Sequence, residues 1–149
     1  MSDEQKMMDK VKEDINEDLI IKAIMLEYPE IYNMLEFTEY TIKEKLEKNA
    51  WWYQNFRLLS IREKRKLSQL NIIYDEYVGK LYHKLRFEND INISKVEATN
   101  FYIPADEKVV ELKKLMMKQS IRVETFDAIK DAFKQQGYNM TQFIKNLDL

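Results

Sequence analysis

From Glu30 to Val78 the chain runs through 49 residues without a glycine or a proline, with Pro29 just before the stretch and Gly79 just after it. Sheets and sandwiches need turn residues every few positions, so a run of this length excludes them and leaves helix. Proline at the start and glycine at the end are the punctuation expected of a helix. The chain as a whole has only two glycines and two prolines in 149 residues and is rich in Leu, Met, Lys, Glu and Gln, which extends the all-α reading to its full length. As one unbroken helix the run would span roughly 75 Å, against about 30 Å for the width of a small domain. The chain therefore forms either extended helices or a long helical hairpin. The aromatic-rich stretch from Trp51 to Ser60, where the three-four register blurs around Asn49 and Ser60, is the expected fold-back.

Apolar residues mark the faces. Met8, Val11, Ile15, Leu19, Ala23 and Leu26 make one stripe of an N-terminal helix over residues 1–28, which Tyr28-Pro29 interrupts. Leu67, Leu70, Tyr74, Tyr77 and Leu81 follow strict three-four steps, as in a coiled-coil seam. Adjacent Trp51, Trp52 and Tyr53 point to different sides of a helix, so at least one ring meets a partner element or subunit. Residues 87–104 change texture, with Asn89, Asn92, Asn100 and several β-branched residues, and read as an irregular or extended connector. Pro104-Ala105-Asp106-Glu107 is a helix entrance. The helix it opens is expected to run to about Gln135, with Gly137 as its stop and Met140, Phe143, Ile144 and Leu147 forming a short last amphipathic segment. Within it, Val109, Leu112, Met116, Val123, Phe126 and Phe133 hold the a and d places of a heptad, and Val110, Met117, Ile121 and Ile129 widen the stripe beyond what one partner helix covers. These parts are expected to make one domain over residues 1–149, with 30–86 as the long helical region and 105–149 as the oligomerisation helices.

A formal charge of −2 conceals an uneven distribution. Residues 1–18 carry seven acidic and three basic side chains, whereas Arg57 to Arg86 carry eight basic and three acidic, a local charge of +5. Arg62, Lys64, Arg65 and Lys66 crowd one turn, and Lys80, Lys84 and Arg86 follow Gly79 with Tyr74, Tyr77 and Tyr82 interleaved. Cations beside aromatic faces suit single-stranded nucleic acid, charge for phosphates and rings for bases. An ordinary solvated helix face with core tyrosines has the same pattern.

Several chemistries are absent from the inventory. There is no cysteine, one histidine (His83), and no glycine-rich phosphate loop or nucleophile motif, so no catalytic residue is expected. Glu88, Asn89, Asp90 and Asn92 lack the glycine and terminal glutamate of a calcium loop and read as solvated, leaving no expected metal or cofactor. No run approaches the roughly 20 apolar residues of a membrane span, and the charged N-terminus is not a signal peptide, so a cytoplasmic protein without a membrane partner is expected.

The stretches Tyr77-Val78-Gly79-Lys80-Leu81, Tyr102-Ile103-Pro104-Ala105-Asp106-Glu107 and Gln136-Gly137-Tyr138-Asn139-Met140 together resemble the UvsY-type recombination mediators of T-even and related phages, with order and intervals agreeing from about Ser60 to Ile144. The family carries basic residues just before its aromatic-aromatic-x-Gly where this chain has Asn71, Ile72 and Ile73, and an arginine where it has Gln136. The resemblance implies a non-enzymatic accessory protein that forms a homo-oligomeric ring, binds single-stranded DNA, and helps a recombinase displace the single-strand-binding protein. On that reading Arg62, Lys64, Arg65, Lys66, Lys80, Lys84 and Arg86 face DNA, and the heptad residues of the C-terminal helix join subunits. The alternative is a coiled-coil adaptor or scaffold without nucleic-acid binding, its basic segment paired with another subunit's acidic N-terminal region.

Overall fold

A computed structural model describes residues 2–17 and 28–147, and among them all regular structure is helical. Helix α1 spans Asp3–Glu17, α2 Tyr28–Leu35 and α3 Ile42–Phe87. A connector follows with a turn of helix at Lys95–Glu97 (α4), a π turn at Ala98–Tyr102 and a turn at Ile103–Ala105 (α5), and helix α6 spans Glu107–Leu147. The expected stripe residues Leu19, Ala23 and Leu26 lie outside the described residues.

Local chemistry sets the ends. Ser2 Oγ accepts from the Gln5 N–H at 3.2 Å and Asp3 and Glu4 fill the first turn of α1, so side-chain oxygen and negative charge meet the orphan donors there. Pro29 sits in the first turn of α2, where its missing N–H costs nothing. Asp106 caps α6: its Oδ1 accepts from the Val109 N–H at 3.0 Å, as the helix-entrance reading anticipates.

Four boundaries differ from expectation. The glycine-free run is broken over residues 36–41, where Thr38 and Thr41 bond each other: the Thr38 N–H donates to Thr41 Oγ1 at 2.8 Å and the Ile42 N–H to the Thr38 carbonyl at 2.9 Å. The freed Leu35 carbonyl at the end of α2 accepts from Gln136 Nε2 at 2.6 Å. No fold-back occurs between Trp51 and Ser60; α3 continues as one helix of 46 residues, with Gly79 inside it. Residues 95–105 of that connector are helical rather than extended, started by Ser94, whose Oγ accepts from the Glu97 N–H, and anchored by buried Ile93, Ala98 and Ile103.

Gly137 does not stop α6, which runs on to Leu147. The glycine is needed for packing: a Cβ there would stand 2.5 Å from Asn49 Oδ1, and the Asn49 amide donates to the Phe133 carbonyl at 2.9 Å in a buried position. Gly137→Ala should therefore lower stability in the natural chain, because displacing that buried amide costs about 1–3 kcal/mol, more than the roughly 1 kcal/mol alanine gains in helix propensity. In an Asn49→Ala background the same substitution should stabilise by about 1 kcal/mol. Urea unfolding of the four proteins reads the sign directly, and an unchanged sign contradicts this role for Asn49.

The chain forms two compact units, and α3 and α6 contribute to both. Unit 1 comprises residues 1–16 and 65–120. In it α1, α3 and α6 bury Met8 and Val11, Leu70 and Ile73, and Leu112 and Leu115 together, with Tyr74, Tyr77 and Met116 packed around them. Tyr77 Oη donates to both Asp106 carboxylate oxygens, at 2.9 and 3.0 Å. Burial, then that hydrogen bond and the carboxylate charge, hold the phenol above its ordinary range and keep it a donor. Unit 2 comprises residues 17–64 and 121–149. Its core is Phe56, Phe126, Ile129 and Phe133, covered by Ile31, Met34 and Leu35 of α2 and by Trp52, Tyr53 and Leu59.

Candidate nucleic-acid interface

The two basic clusters expected on α3 differ in how their charges are used. In unit 2, Arg62 sits 3.0 Å from the Glu63 carboxylate, which is fully buried and also accepts from Arg122 Nε at 2.8 Å. Arg122 is only 4% exposed and its guanidinium lies 5.5 Å from the Phe126 ring. Lys64 reaches Asp127 at 3.1 Å. Asp127 also accepts from Ser60 Oγ and from Lys130 at 3.4 Å. Desolvation raises the Asp127 pKa, but the bonds from Ser60 and Lys64 and the charge of Lys130 outweigh it, and the net is below the ordinary value. In unit 1, Lys66 is buried and Arg65 is exposed. The upstream cluster thus splits: Arg62 and Lys64 are exposed but pair with carboxylates of their own unit, Lys66 is enclosed, and Arg65 is exposed with no carboxylate paired to it among the described residues.

The downstream cluster lies at the C-terminal end of α3, within unit 1, and is arranged differently. Lys80 and Lys84 are exposed, and among the described residues no carboxylate pairs with either. The Arg86 guanidinium lies 5.8 Å from the Tyr82 ring and 5.5 Å from the Phe87 ring, and donates to Tyr82 Oη at 3.1 Å. Phe87 is 66% exposed, and the His83 ring lies tilted beside it with ring centroids 5.2 Å apart. His83 Nδ1 is 3.5 Å from Glu88 Oε1 at the surface, in keeping with a solvent-exposed histidine. Cations near the C-terminus of a helix suit its dipole, which stabilises the cluster without neutralising it. The connector that follows leaves Ile91, Val96, Phe101 and Tyr102 exposed as well.

The heptad residues of α6 expected to join subunits are placed otherwise. Val109 and Leu112 are fully buried and Met116 packs on the core of unit 1; Val123, Phe126 and Phe133 are buried in unit 2. The cause is simple: these residues meet α1, α2 and α3 of their own chain. Of the residues that widen the stripe, Val110, Met117 and Ile121 remain exposed and Ile129 is buried in the core of unit 2. Of the three adjacent rings on α3, Trp52 lies 5.5 Å from Phe133, Tyr53 packs on the same core and Trp51 is exposed.

Three features of these sites were not anticipated: the Glu63–Arg122 pair, the clamp of Tyr82 and Phe87 on Arg86, and the exposed connector aromatics. The second was legible in part, since positions 82, 86 and 87 share a helix and the i, i+4 pair must meet. Among the described residues no three His, Asp or Glu side chains gather as a metal site, and no helix is long and apolar enough to cross a membrane. Scans of this chain against protein-family models, curated proteins and solved structures return no match.

Proposed function

We propose that this all-α protein is a non-enzymatic single-stranded-DNA-binding protein acting as a recombination mediator, an oligomer that helps a recombinase assemble on strands held by single-strand-binding protein. The observation that carries the DNA reading is the downstream end of α3, where Lys80, Lys84 and Arg86 stand beside exposed Phe87 and the ring of Tyr82. Such a surface offers phosphate charge and stacking faces together. The mediator role and its protein partners rest on the resemblance described above, and exposed Val110, Met117 and Ile121 on α6 are apolar residues open to a second copy. Repetition of the cluster around an oligomer would turn weak phosphate contacts into a strong site.

The site within the basic region is narrower than composition alone suggests. Replacing Lys80, Lys84 and Arg86 together by alanine is expected to reduce the slope of log affinity against log salt by about 2, at roughly 0.7 per neutralised phosphate of a single strand. Replacing Arg62 and Lys64 should leave the slope nearly unchanged, because those charges already pair within unit 2. A fluorescence titration in which only the second pair of substitutions changes the slope would move the site upstream.

A further inference from the structure

Gly79 has no internal reason to be glycine. It lies inside α3, its φ is not positive, and a Cβ built on it meets nothing within 4 Å, in contrast to Gly137, whose missing side chain makes room for Asn49. Glycine is the poorest ordinary helix former, so an unforced one in a helix interior points to something that approaches the backbone from outside. The bare backbone at Gly79 forms part of an open groove of about 430 Å³ within unit 1. Tyr82, Val78 and Asp75 of α3 line it, with Pro104 of the connector and Lys113 of α6. Arg86 donates to Tyr82 Oη at 3.1 Å, which fixes that ring and sets a cation beside the groove.

We infer that this groove takes an unpaired nucleobase of the bound strand, laid against the Gly79 backbone beside the Tyr82 ring, with the neighbouring phosphates on Arg86 and Lys113. This rests on the single-strand reading and names the part of the strand that the site takes. The lining fits a flat ligand with a polar edge. Tyr82, Val78 and Pro104 supply apolar faces, and the Asp75 carboxylate can accept an N–H from the edge of a base. Lys113 in the lining and Arg86 on the Tyr82 hydroxyl favour a ligand joined to phosphate over a neutral apolar one.

The test compares a labelled twelve-residue dT strand with an abasic strand of the same length, at low salt, by anisotropy on the full chain. The natural protein should prefer dT by about tenfold or more, the range expected for one or two stacked bases. Gly79→Leu should fill the groove and abolish the preference while keeping affinity for the abasic strand; Gly79→Ala should reduce it. Both variants should melt at a higher temperature than the natural chain, since each improves an exposed helix position, so loss of folding would not account for the change. Equal binding of the two strands by the natural protein, or an undiminished preference in Gly79→Leu, overturns the groove while leaving single-strand binding intact. Binding of neither strand overturns both. A Gly79→Leu protein that keeps its preference but changes size in light scattering gives the groove to a second copy of the chain instead.

Discussion

Glu63→Leu is expected to lower the unfolding free energy by about 3–5 kcal/mol, the usual cost of removing one partner of a buried ion pair. Glu63 is fully buried, and its carboxylate accepts from Arg122 Nε at 2.8 Å while Arg122 itself is 4% exposed. Removing the carboxylate takes away the anion that Arg122 Nε meets, in a buried position beside the Phe126 ring. Glu63→Leu combined with Arg122→Met replaces both charges by apolar groups of similar length, and should recover most of the loss, because two desolvated ions seldom outperform hydrophobic packing. Urea unfolding of the two single variants and the double variant measures this, and a double variant as unstable as Glu63→Leu alone would show that Arg122 is held by something other than Glu63.

Phe133→Ala should cost a similar amount, about 3–5 kcal/mol. Phe133 is fully buried in unit 2, stacked on Phe56 with centroids 5.4 Å apart and an interplanar angle of 10°, and 5.5 Å from Trp52. Its removal opens a cavity walled by rings that cannot collapse without leaving their rotamers. By comparison Phe101→Ala, at a ring 67% exposed, should change stability by no more than about 0.5 kcal/mol. The pair of measurements separates the two roles open to the α6 heptad. A subunit-contact residue would alter particle size in light scattering and leave a folded chain, whereas a core residue lowers the unfolding midpoint.

The residues that misled the sequence reading are polar residues placed in apolar seams. Asn49 and Ser60 blur the three-four register of α3 and invite a fold-back between them, yet both are buried and bonded across to α6, Asn49 to the Phe133 carbonyl and Ser60 to Asp127. A polar side chain with a partner 67 or 84 residues away looks, in one dimension, like the end of a helix. The opposite error occurs at residues 36–41, where a search for glycine and proline passes over a stop made by two threonines. Gly137 looks like a terminator for the same reason, although its place is set by Asn49.

What was legible follows short-range rules: the all-α class, the Asp106 cap, the Pro29 start and the core places of Val11 and Leu70. The candidate site was legible as a charge excess but not as a surface. Lys64 and Lys84 are indistinguishable in composition, and only the fold brings Asp127 to the first and leaves the second to solvent. The seven candidate cations of α3 therefore narrow to the downstream group of Lys80, Lys84 and Arg86, with Arg65 the upstream member that no carboxylate pairs among the described residues.

The most direct test of the DNA reading is a titration of a labelled dT oligonucleotide with the natural chain across a series of salt concentrations. The account predicts binding that weakens with salt along a log–log slope of about −2 for the three downstream cations of one chain, steeper if several copies line one strand. Absence of binding at low salt, or affinity that does not respond to salt, would contradict it.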